Sequence, residues 1–371
     1  MNDQQRILII ASEFPPNVGG IGNHACHLAK SLAASGFQVR VVADLMHVTS
    51  QELVAFKRTL PFKFTATLRS GNLLFTYISR TRTALSAAAD ADFIICSGKF
   101  PLWMVHLLRL RYRHKKIVAI VHGSELDLKT SYAKNLVQKA LEKVNVIISV
   151  SSYTRQYISK KALSKVPCYI IHNGINIEEF ESLPLINKMQ HKLRLITIGS
   201  MTERKGQANV IKAMPVILNA FPGAEYHIIG KPFEKLQLQQ LAQQLSVSAS
   251  VIFHDEQKRE NMLRLLNESS IKIMLSNHTS TGDFEGFGIA LLEANALHKP
   301  VIGSNFTGIV DAVKDHETGR LVNPYKADDI AQAIKEILAN YQDYSESAFE
   351  WAKAHDWKQI VQQYIEVLNA V

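Results

Sequence analysis

The chain has 371 residues, 47% of them hydrophobic and 20% charged, and a net charge of +9. The chain is longer than one hydrophobic core usually supports, which predicts two domains. These proportions of hydrophobic and charged residues are typical of a soluble globular protein and exclude a disordered or fibrous chain. No apolar run approaches the ~20 residues of a membrane-spanning helix, and the run at 7–11 is too short for a signal peptide. The cysteines, Cys26, Cys96 and Cys168, are scattered and form no CxxC or Cys/His pattern. We therefore expect a cytosolic protein with reduced cysteines and no bound metal.

The positive charge is concentrated in the first half of the chain. Residues 1–185 carry the excess of Lys and Arg over Asp and Glu, whereas residues 186–371 are nearly neutral. This asymmetry predicts an anionic partner for the first half, either an acidic lipid surface or an anionic substrate. Nucleic acid is not expected, because no nucleic-acid motif accompanies the charge. Two stretches, 57–63 and 99–116, combine basic and aromatic residues, which predicts contact with an anionic membrane. The alternative for 99–116 is a core helix with one solvated end.

Short apolar strands alternate with helical stretches along the chain. In the first half, the predicted strands are 6–11, 37–43, 92–96, 116–121, 145–150 and 168–171. After a polar stretch at 180–192, the predicted linker, they are 194–199, 225–230, 250–253, 271–275 and 299–303. This alternation predicts parallel sheets that are covered by helices on both faces. We therefore predict two doubly wound α/β domains, 1–185 and 186–345, and a helical segment, 346–371, that packs back on the first.

The strongest chemical motif runs from Glu285 to Glu293. Its two carboxylates are separated by seven residues, and Gly286 and Gly288 stand at the predicted start of a helix. Glu285 and Glu293 would then lie about two helical turns apart, so that both could face one ligand. Glycines let the backbone approach that ligand closely, and the N–H groups at a helix start attract phosphate. The alternative is a capped helix with two solvated acids.

This motif resembles the Glu-x7-Glu motif of the retaining GT-B glycosyltransferases of family 4. The sequence from Glu293 to Ile302, together with Gly308 and Thr318-Gly319, fits the same pattern. The resemblance implies a GT-B fold, in which two Rossmann-like domains face each other across a cleft and the C-terminal one binds the nucleotide sugar. It implies that Glu285 contacts the donor sugar as a catalytic residue and that Glu293 binds the ribose hydroxyls. The other donor-binding residues implied are Gly286, Phe287, Gly288 and Ile289.

A basic loop, Gly199 to Gly206, follows the predicted strand 194–199. A leaving diphosphate requires fixed positive charge, which Arg204 and Lys205 could supply without a metal. The loop resembles the phosphate-binding loop of the family, with one departure: Ser200 stands where the family commonly has Arg. We assign Arg204 and Lys205 to the donor phosphates, and Lys205 also to catalysis. An ordinary surface turn is the alternative.

A glycine-rich turn with Gly19, Gly20 and Ile21 follows the first predicted strand and precedes a helix. It resembles the family loop that lies between the donor phosphate and the acceptor, and the backbone amides of such a turn can approach a ligand closely. A dinucleotide-binding fingerprint is the alternative, but the GxGxxG spacing is missing.

Further residues follow other predicted strands of the first half. His122 comes directly after strand 116–121, where a family histidine hydrogen-bonds the donor sugar and stabilises charge at the reacting centre. Ser151, Asn173 and Gly174 match family loops at the cleft. A helix cap or a turn is the alternative for these three residues.

The resemblance implies a metal-independent retaining hexosyltransferase without a cofactor. Its donor substrate is a UDP- or GDP-sugar, and its acceptor is a hydroxyl of a glycan or a lipid-linked molecule, in the synthesis of cell-surface polysaccharide or glycolipid. The acceptor would attack from the leaving-group side, after closure of the two lobes. The alternatives are a sugar-nucleotide epimerase of the same fold and a non-catalytic partner that binds nucleotide sugar or membrane. We expect a cytoplasmic protein, and peripheral attachment to the inner face of the cell membrane is a further expectation.

Overall fold

The structure, a computed structural model, describes residues 4–17, 19–45, 48–68, 73–128, 130–184, 192–279 and 282–371, without the side chains of residues 50, 68 and 73. Residues 185–191, most of the predicted linker, lie outside the described residues. The chain forms two compact units, Met1–Gly174 with Trp357–Val371 and Ile175–Asp356. The domain limits predicted at residues 185 and 345 lie near these bounds without coinciding with them.

The described part of the first unit is built on a seven-stranded parallel sheet. Its strands are β1 (Arg6–Ala11), β2 (Gln38–Leu45), β3 (Lys63–Leu68), β4 (Phe93–Ser97), β5 (Lys116–Val121), β6 (Val146–Ser149) and β7 (Cys168–Ile170). Across the sheet they follow the order β3-β2-β1-β4-β5-β6-β7. The order reverses between β1 and β4, and this topological switch point is where doubly wound sheets bind their ligands.

Helices cover the first sheet. They are α1 (Gly20–Ala34), α2 (Ser50–Arg58), α3 (Leu73–Ala88), α4 (Lys99–Arg111), α5 (Ser131–Leu141), α6 (Ser152–Arg155) and α7 (Lys160–Lys165). Strand β5, with the sequence Lys-Ile-Val-Ala-Ile-Val, is buried from its second residue onward, as expected for a parallel strand covered on both faces. Helix α4, in the stretch predicted to contact a membrane, buries Leu102, Val105 and Leu108 in the core and leaves Leu107 and Leu110 exposed.

The described part of the second unit is built on a six-stranded parallel sheet. Its strands are β8 (Arg194–Ile198), β9 (Glu225–Ile229), β10 (Val251–Phe253), β11 (Ile271–Met274), β12 (Val301–Ser304) and β13 (Gly319–Val322). The order β10-β9-β8-β11-β12-β13 is that of the Rossmann fold, with the switch point between β8 and β11. Its helices are α8 (Glu178–Glu181), α9 (Gln207–Ala220), α10 (Lys235–Gln244), α11 (Arg259–Asn267), α12 (Ile289–Asn295), α13 (Ala327–Ala339) and α14 (Tyr341–Ala354).

The last helix, α15 (Trp357–Asn369), belongs to the first unit, where it packs against α1. The buried Nε2 of His24 lies 3.0 Å from the hydroxyl oxygen of Tyr364, and the rings of His24 and Trp357 are 5.2 Å apart. A Cβ atom added to Gly174 would lie 2.8 Å from the Trp357 ring, so this position has room for glycine alone. Aromatic packing and one buried hydrogen bond thus hold α15 in place.

The two parallel sheets confirm the α/β fold class that was predicted from alternating strands and helices. Strands β3 and β13 were not predicted. Among the described residues, no helix is both long and apolar enough to cross a bilayer, and no group of three His, Cys, Asp or Glu side chains is arranged to hold a metal.

The substitution Tyr364→Phe tests the contact between α1 and α15. It removes the hydroxyl that pairs with His24 inside the protein, so we expect the first unit to lose about 1–3 kcal/mol of unfolding free energy. Hydrogen exchange of α1 and α15 amides in urea measures this loss. Tyr132→Phe, at a side chain that is 80% exposed, is the control and should change nothing. Equal exchange in both variants would contradict the role given to this contact.

Candidate active site

The carboxylate of Glu285 in the second unit is held by two cations. Lys205 Nζ donates a hydrogen bond to Glu285 Oε2 at 2.7 Å, and Arg204 Nη1 donates to the same oxygen. Arg204 Nε also lies 3.1 Å from Asp283 Oδ2. The cations follow β8 and the acids follow β11, so the cluster stands at the switch point of the second sheet.

The loop that carries Arg204 and Lys205 packs tightly against the chain that follows β11. Gly206 has φ +72, and a Cβ atom added to it would lie 1.7 Å from the carbonyl oxygen of Leu275. The backbone N–H of Asn277 donates to the carbonyl of Arg204 at 2.9 Å. Both the positive φ and the close approach require glycine here. These contacts fix the loop from which Arg204 and Lys205 reach Glu285.

The charges of this cluster stabilise one another. Burial alone would raise the pKa of Glu285, but Lys205 and Arg204 outweigh it and lower this pKa to about 2. Burial lowers the pKa of Lys205, and Glu285 opposes that shift. Glu285 is therefore ionised at neutral pH. Two fixed cations in a partly buried site can stabilise negative charge that develops on a ligand.

The glycines after Glu285 shape a loop rather than a helix. Helix α12 begins only at Ile289, and Gly288 caps it with φ +95. The backbone N–H of Gly308 donates to the carbonyl of Glu285 at 2.9 Å, which holds the loop. The prediction that Glu285 and Glu293 lie two turns apart on one helix was wrong, because Glu285 precedes the helix.

Other residues of the loop differ in their surroundings. Phe287 is buried, with its ring 6.1 Å from that of His355. A Cβ atom added to Gly308 would lie 2.0 Å from the carbonyl oxygen of Gly286, so the two backbone segments touch. Ile289 is partly buried at the first turn of α12. The donor-binding roles of Gly286, Phe287, Gly288 and Ile289 stay predictions.

Glu293 has a cation of its own, which the sequence did not indicate. Arg259 Nη1 donates to Glu293 Oε1 at 2.8 Å, and Arg259 also forms two hydrogen bonds to the carboxylate of Glu179, at 2.8 and 3.0 Å. Burial opposes the charge of Arg259, but the two carboxylates raise its pKa. An arginine at the start of α11 thus sets the position of the second acid of the motif.

Lys272 is a second charged residue that the sequence motifs did not indicate. It lies in the middle of β11, fully buried, and its Nζ has no hydrogen-bond partner among the described residues. Burial lowers the pKa of Lys272 to about 7, although the charge of Glu293 acts to raise it. The sequence does contain a signal for this residue: a single lysine stands within the otherwise apolar strand sequence Ile-Lys-Ile-Met, where its side chain must be buried.

His122 lies at the end of β5 in the first unit. Its Nε2 is 2.9 Å from the hydroxyl of Ser97, which ends β4, and its backbone N–H donates to Glu125 Oε1 at 2.6 Å. Its ring packs edge-on to His24, with 4.9 Å between centroids. Burial lowers the pKa of His122 to about 4, so the ring is neutral at pH 7.

The predicted glycine turn leads into helix α1. Gly19 precedes the helix with extended backbone, and Gly20 is its first residue. A Cβ atom added to Gly19 would lie 1.8 Å from Oε2 of Glu13, so that carboxyl group stands against the turn. Ile21 points toward Gly98, at the end of β4. The structure thus brings this turn beside the carboxyl ends of β1 and β4.

Two of the three remaining predicted residues, Ser151 and Gly174, have structural partners. Ser151 caps α6: its hydroxyl accepts a hydrogen bond from the backbone N–H of Thr154 at 2.9 Å. Gly174 makes room for Trp357, and Asn173 is buried, with its Oδ1 unpartnered among the described residues. The proposed ligand contacts of Ser151, Asn173 and Gly174 stay predictions.

Two protein-family models match the chain. "Glycosyl transferases group 1" matches residues 178–356, and "Glycosyltransferase Family 4" matches residues 18–179. The chain is a family 4 glycosyltransferase. The family predicted from the Glu285 to Glu293 motif is therefore confirmed, and so is the prediction that the chain is a transferase enzyme.

Two curated relatives of this glycosyltransferase are mannosyltransferases. The GDP-mannose-dependent monoacylated alpha-(1-6)-phosphatidylinositol monomannoside mannosyltransferase of Corynebacterium glutamicum is 25% identical over 350 residues, 91% of this chain and 90% of the relative. The phosphatidyl-myo-inositol mannosyltransferase of Mycolicibacterium smegmatis is 26% identical over 372 residues, 95% of this chain and 90% of the relative. Among solved structures, Anabaena HepE in complex with UDP has a TM-score of 0.78 and 16% identity, covering 99% of this chain and 100% of that chain. This likeness confirms the GT-B fold.

The substitution Glu285→Gln tests the charge cluster. It leaves Arg204 and Lys205 without their shared counter-ion, so we expect a loss of about 3 kcal/mol of unfolding free energy in the second unit. Asp283→Asn removes a partner of Arg204 that is half exposed, and should cost less than about 1 kcal/mol. Urea unfolding, monitored by hydrogen exchange of the backbone amides of β8 and β11, measures the loss of unfolding free energy in both variants.

The same cluster predicts a dependence on pH. The pKa of Glu285 is lowered in the folded protein, so its stabilisation is complete above the ordinary value of 4.5 and is lost as the pH falls toward 2. This acid-dependent loss should be smaller in Glu285→Gln. Identical acid unfolding of the two proteins would mean that the cations do not stabilise the Glu285 carboxylate.

Proposed function

We propose that this glycosyltransferase moves a sugar from a nucleotide diphosphate donor to an acceptor hydroxyl, with retention of configuration and without a metal. The observation that carries the proposal is the convergence of Arg204 and Lys205 on Glu285 at the switch point of the second sheet. Two fixed cations there can stabilise the departing diphosphate, and we assign Glu285 to the donor sugar beside them. Ser200 stands where the family commonly has Arg. We propose that Arg204 supplies the positive charge that this Arg would otherwise provide.

The proposed donor is GDP-mannose. One relative is named as GDP-mannose-dependent, and both relatives are named as mannosyltransferases of phosphatidylinositol lipids. A UDP-sugar is the second candidate, since the structural neighbour HepE is in complex with UDP. Accordingly, the proposed acceptor is a hydroxyl of a lipid-linked glycan or polyol. Such a reaction would serve glycolipid or polysaccharide synthesis in the cytoplasm, at the inner face of the membrane.

In the proposed mechanism the glycosidic bond to the diphosphate breaks first, through an oxocarbenium-like state. The acceptor oxygen then attacks from the side on which the phosphate departs, and a phosphate oxygen takes the hydroxyl proton. Arg204 and Lys205 stabilise the charge on that phosphate. His122 and the turn at Gly19 and Gly20 are the proposed contribution of the first unit. A neutral His122, as its lowered pKa predicts, would act as a hydrogen-bonding group rather than as a cation.

Turnover of GDP-mannose with phosphatidylinositol micelles tests this function. The full chain should release GDP in proportion to mannosyl lipid, EDTA should not inhibit, and proton NMR should show an α-linked product. Lys205→Met should lower kcat/KM at least ~100-fold, because a charge aimed at the leaving group is lost. Lys212→Met, at an exposed lysine of α9, is the matched control.

Other outcomes distinguish the alternatives. An isomerised donor without GDP release would identify an epimerase, and a β-linked product would contradict retention. Binding of GDP-mannose without turnover, unchanged by Lys205→Met, would identify a non-catalytic partner.

The proposed membrane contact involves helices α3 and α4. They pack together through Tyr77 and Phe100, whose rings are 5.7 Å apart. Leu74 and Phe75 on α3 are each 66% exposed, and Leu110 on α4 is 72% exposed. Exposed cations on the same helices are Arg82, Lys99 and Arg111. Apolar side chains beside cations favour a surface of anionic lipid. The other predicted stretch, 57–63, contributes Phe62 to packing against Phe14.

Replacing Leu74 and Phe75 together by serine tests this contact. We expect the double variant to lose sedimentation with vesicles of phosphatidylglycerol, at least tenfold in partition coefficient, because two apolar side chains leave the lipid. Phe233→Ser, at a 69% exposed aromatic of the second unit, should bind vesicles normally. Equal binding by all three proteins would contradict the proposed surface.

A further inference from the structure

The His122 ring uses one of its two nitrogens inside the first unit. Nε2 lies 2.9 Å from the hydroxyl oxygen of Ser97, the last residue of β4. Among the residues that the structure describes, none pairs with Nδ1 of His122. Ser97 is fully buried, whereas His122 is only partly buried. Nδ1 is therefore the nitrogen that is available to a ligand, and its protonation decides whether it donates or accepts a hydrogen bond.

The Ser97 hydroxyl distinguishes the two forms of the neutral ring. In the described part of the chain, His122 Nε2 is the one hydrogen-bond partner of this hydroxyl. If Nε2 carried the ring proton and donated it to Ser97, the Ser97 proton would be buried without an acceptor. If Ser97 donates to Nε2, both groups are satisfied. Because an unpaired buried donor costs free energy, Ser97 is the donor, and a neutral ring then carries its proton on Nδ1.

His106 in α4 has the opposite arrangement. Its Nε2 lies 3.1 Å from the carbonyl oxygen of Leu136, which can only accept a hydrogen bond. Its Nδ1 lies 3.2 Å from Nζ of Lys143, and an ammonium group can only donate. These partners require the proton of a neutral His106 ring to lie on Nε2. Two histidines of one unit are thus held in different tautomers, and the partner of Nε2 accounts for the difference.

Two further contacts fix the position of His122. Glu125 Oε1 accepts a hydrogen bond from the backbone N–H of His122 at 2.6 Å. The His24 ring packs edge-on to the His122 ring, with 4.9 Å between centroids, and is itself placed by the hydroxyl of Tyr364 at 3.0 Å. The side chain is therefore held at its backbone, at Nε2 and on one side of the ring. Such support keeps the direction of the Nδ1–H bond constant.

We propose that Ser97 is a positioning residue that holds His122 as the Nδ1–H tautomer, so that the ring offers a hydrogen-bond donor to an oxygen of the bound substrate. The tautomer follows from contacts within the first unit, whereas the donor role rests on the function proposed above. With its proton on Nδ1, the ring has no lone pair there to accept the proton of the attacking hydroxyl. His122 would instead stabilise negative charge that develops on a sugar or phosphate oxygen.

¹⁵N NMR of the full chain, labelled at histidine, measures the tautomer, because protonated and unprotonated ring nitrogens have different chemical shifts. Loss of signals in His122→Phe identifies the ring. At pH 7 we expect Nδ1–H in the unmodified protein and in Ser97→Thr, which keeps the hydroxyl. Ser97→Ala removes the donor to Nε2, so the Nε2–H form should become populated. His106 should remain Nε2–H in every variant and is the internal control.

Turnover of GDP-mannose with phosphatidylinositol micelles measures the consequence for the reaction. Ser97→Ala should lower kcat about 10- to 100-fold and keep donor KM within about threefold, because the lost donor acts mainly in the transition state. Ser97→Thr should keep kcat within about threefold of the unmodified protein, since the hydroxyl is retained. Ser164→Ala, at an exposed serine of α7, is the control and should turn over normally.

Several results would contradict this role of Ser97. A proton on Nε2 of His122 in the unmodified protein, or an unchanged tautomer in Ser97→Ala, would overturn the proposal. A changed tautomer with an unchanged kcat would overturn the donor role, and equal losses of kcat in Ser97→Ala and Ser97→Thr would make Ser97 a packing residue only. Absence of turnover by the unmodified protein would overturn the proposed function and the donor role with it, whereas the NMR spectra decide the tautomer independently.

Discussion

The carboxylate of Glu285 is shared between Arg204 and Lys205, and the carboxyl edge of the second sheet is organised around that sharing. The cations follow β8 and the acid follows β11, so the contact joins two loops at the point where the strand order reverses. Both cations are partly buried and pair with Glu285, and Arg204 has Asp283 as a further partner. A bound anionic donor would be a second counter-ion for Arg204 and Lys205. The same two cations would then stabilise both the folded loops and the departing diphosphate.

The first sheet has the opposite arrangement at its own switch point. There a carboxylate, Glu13, stands without a cation, and the neighbouring Ser12 and His122 are uncharged. The second switch point thus carries two cations beside a carboxylate, whereas the first carries a carboxylate that no described cation neutralises. Both switch points bring together loop residues from neighbouring strand ends, as this topology predicts.

The sequence predicted the fold well where strands are apolar runs and poorly where they are not. Strand β3, Lys-Phe-Thr-Ala-Thr-Leu, alternates polar and apolar residues at the edge of its sheet, and β13 is four residues long. The family motif singled out Glu285, but Gly288 delays the start of the helix to Ile289, so the argument from helical spacing failed. Arg259 carried no local signal, because its contact with Glu293 spans 34 residues, whereas Lys272 stood out within an apolar strand and was overlooked.

Helix α15 has a consequence for the order in which the protein is made. The first unit needs residues 357–371 to cover α1, and these residues are synthesised after the whole of the second unit. His24 in α1 can meet Tyr364 and Trp357 only after the last residues of the chain have been made. A chain that stops before Trp357 would therefore contain every residue of the second unit but only an incomplete first unit.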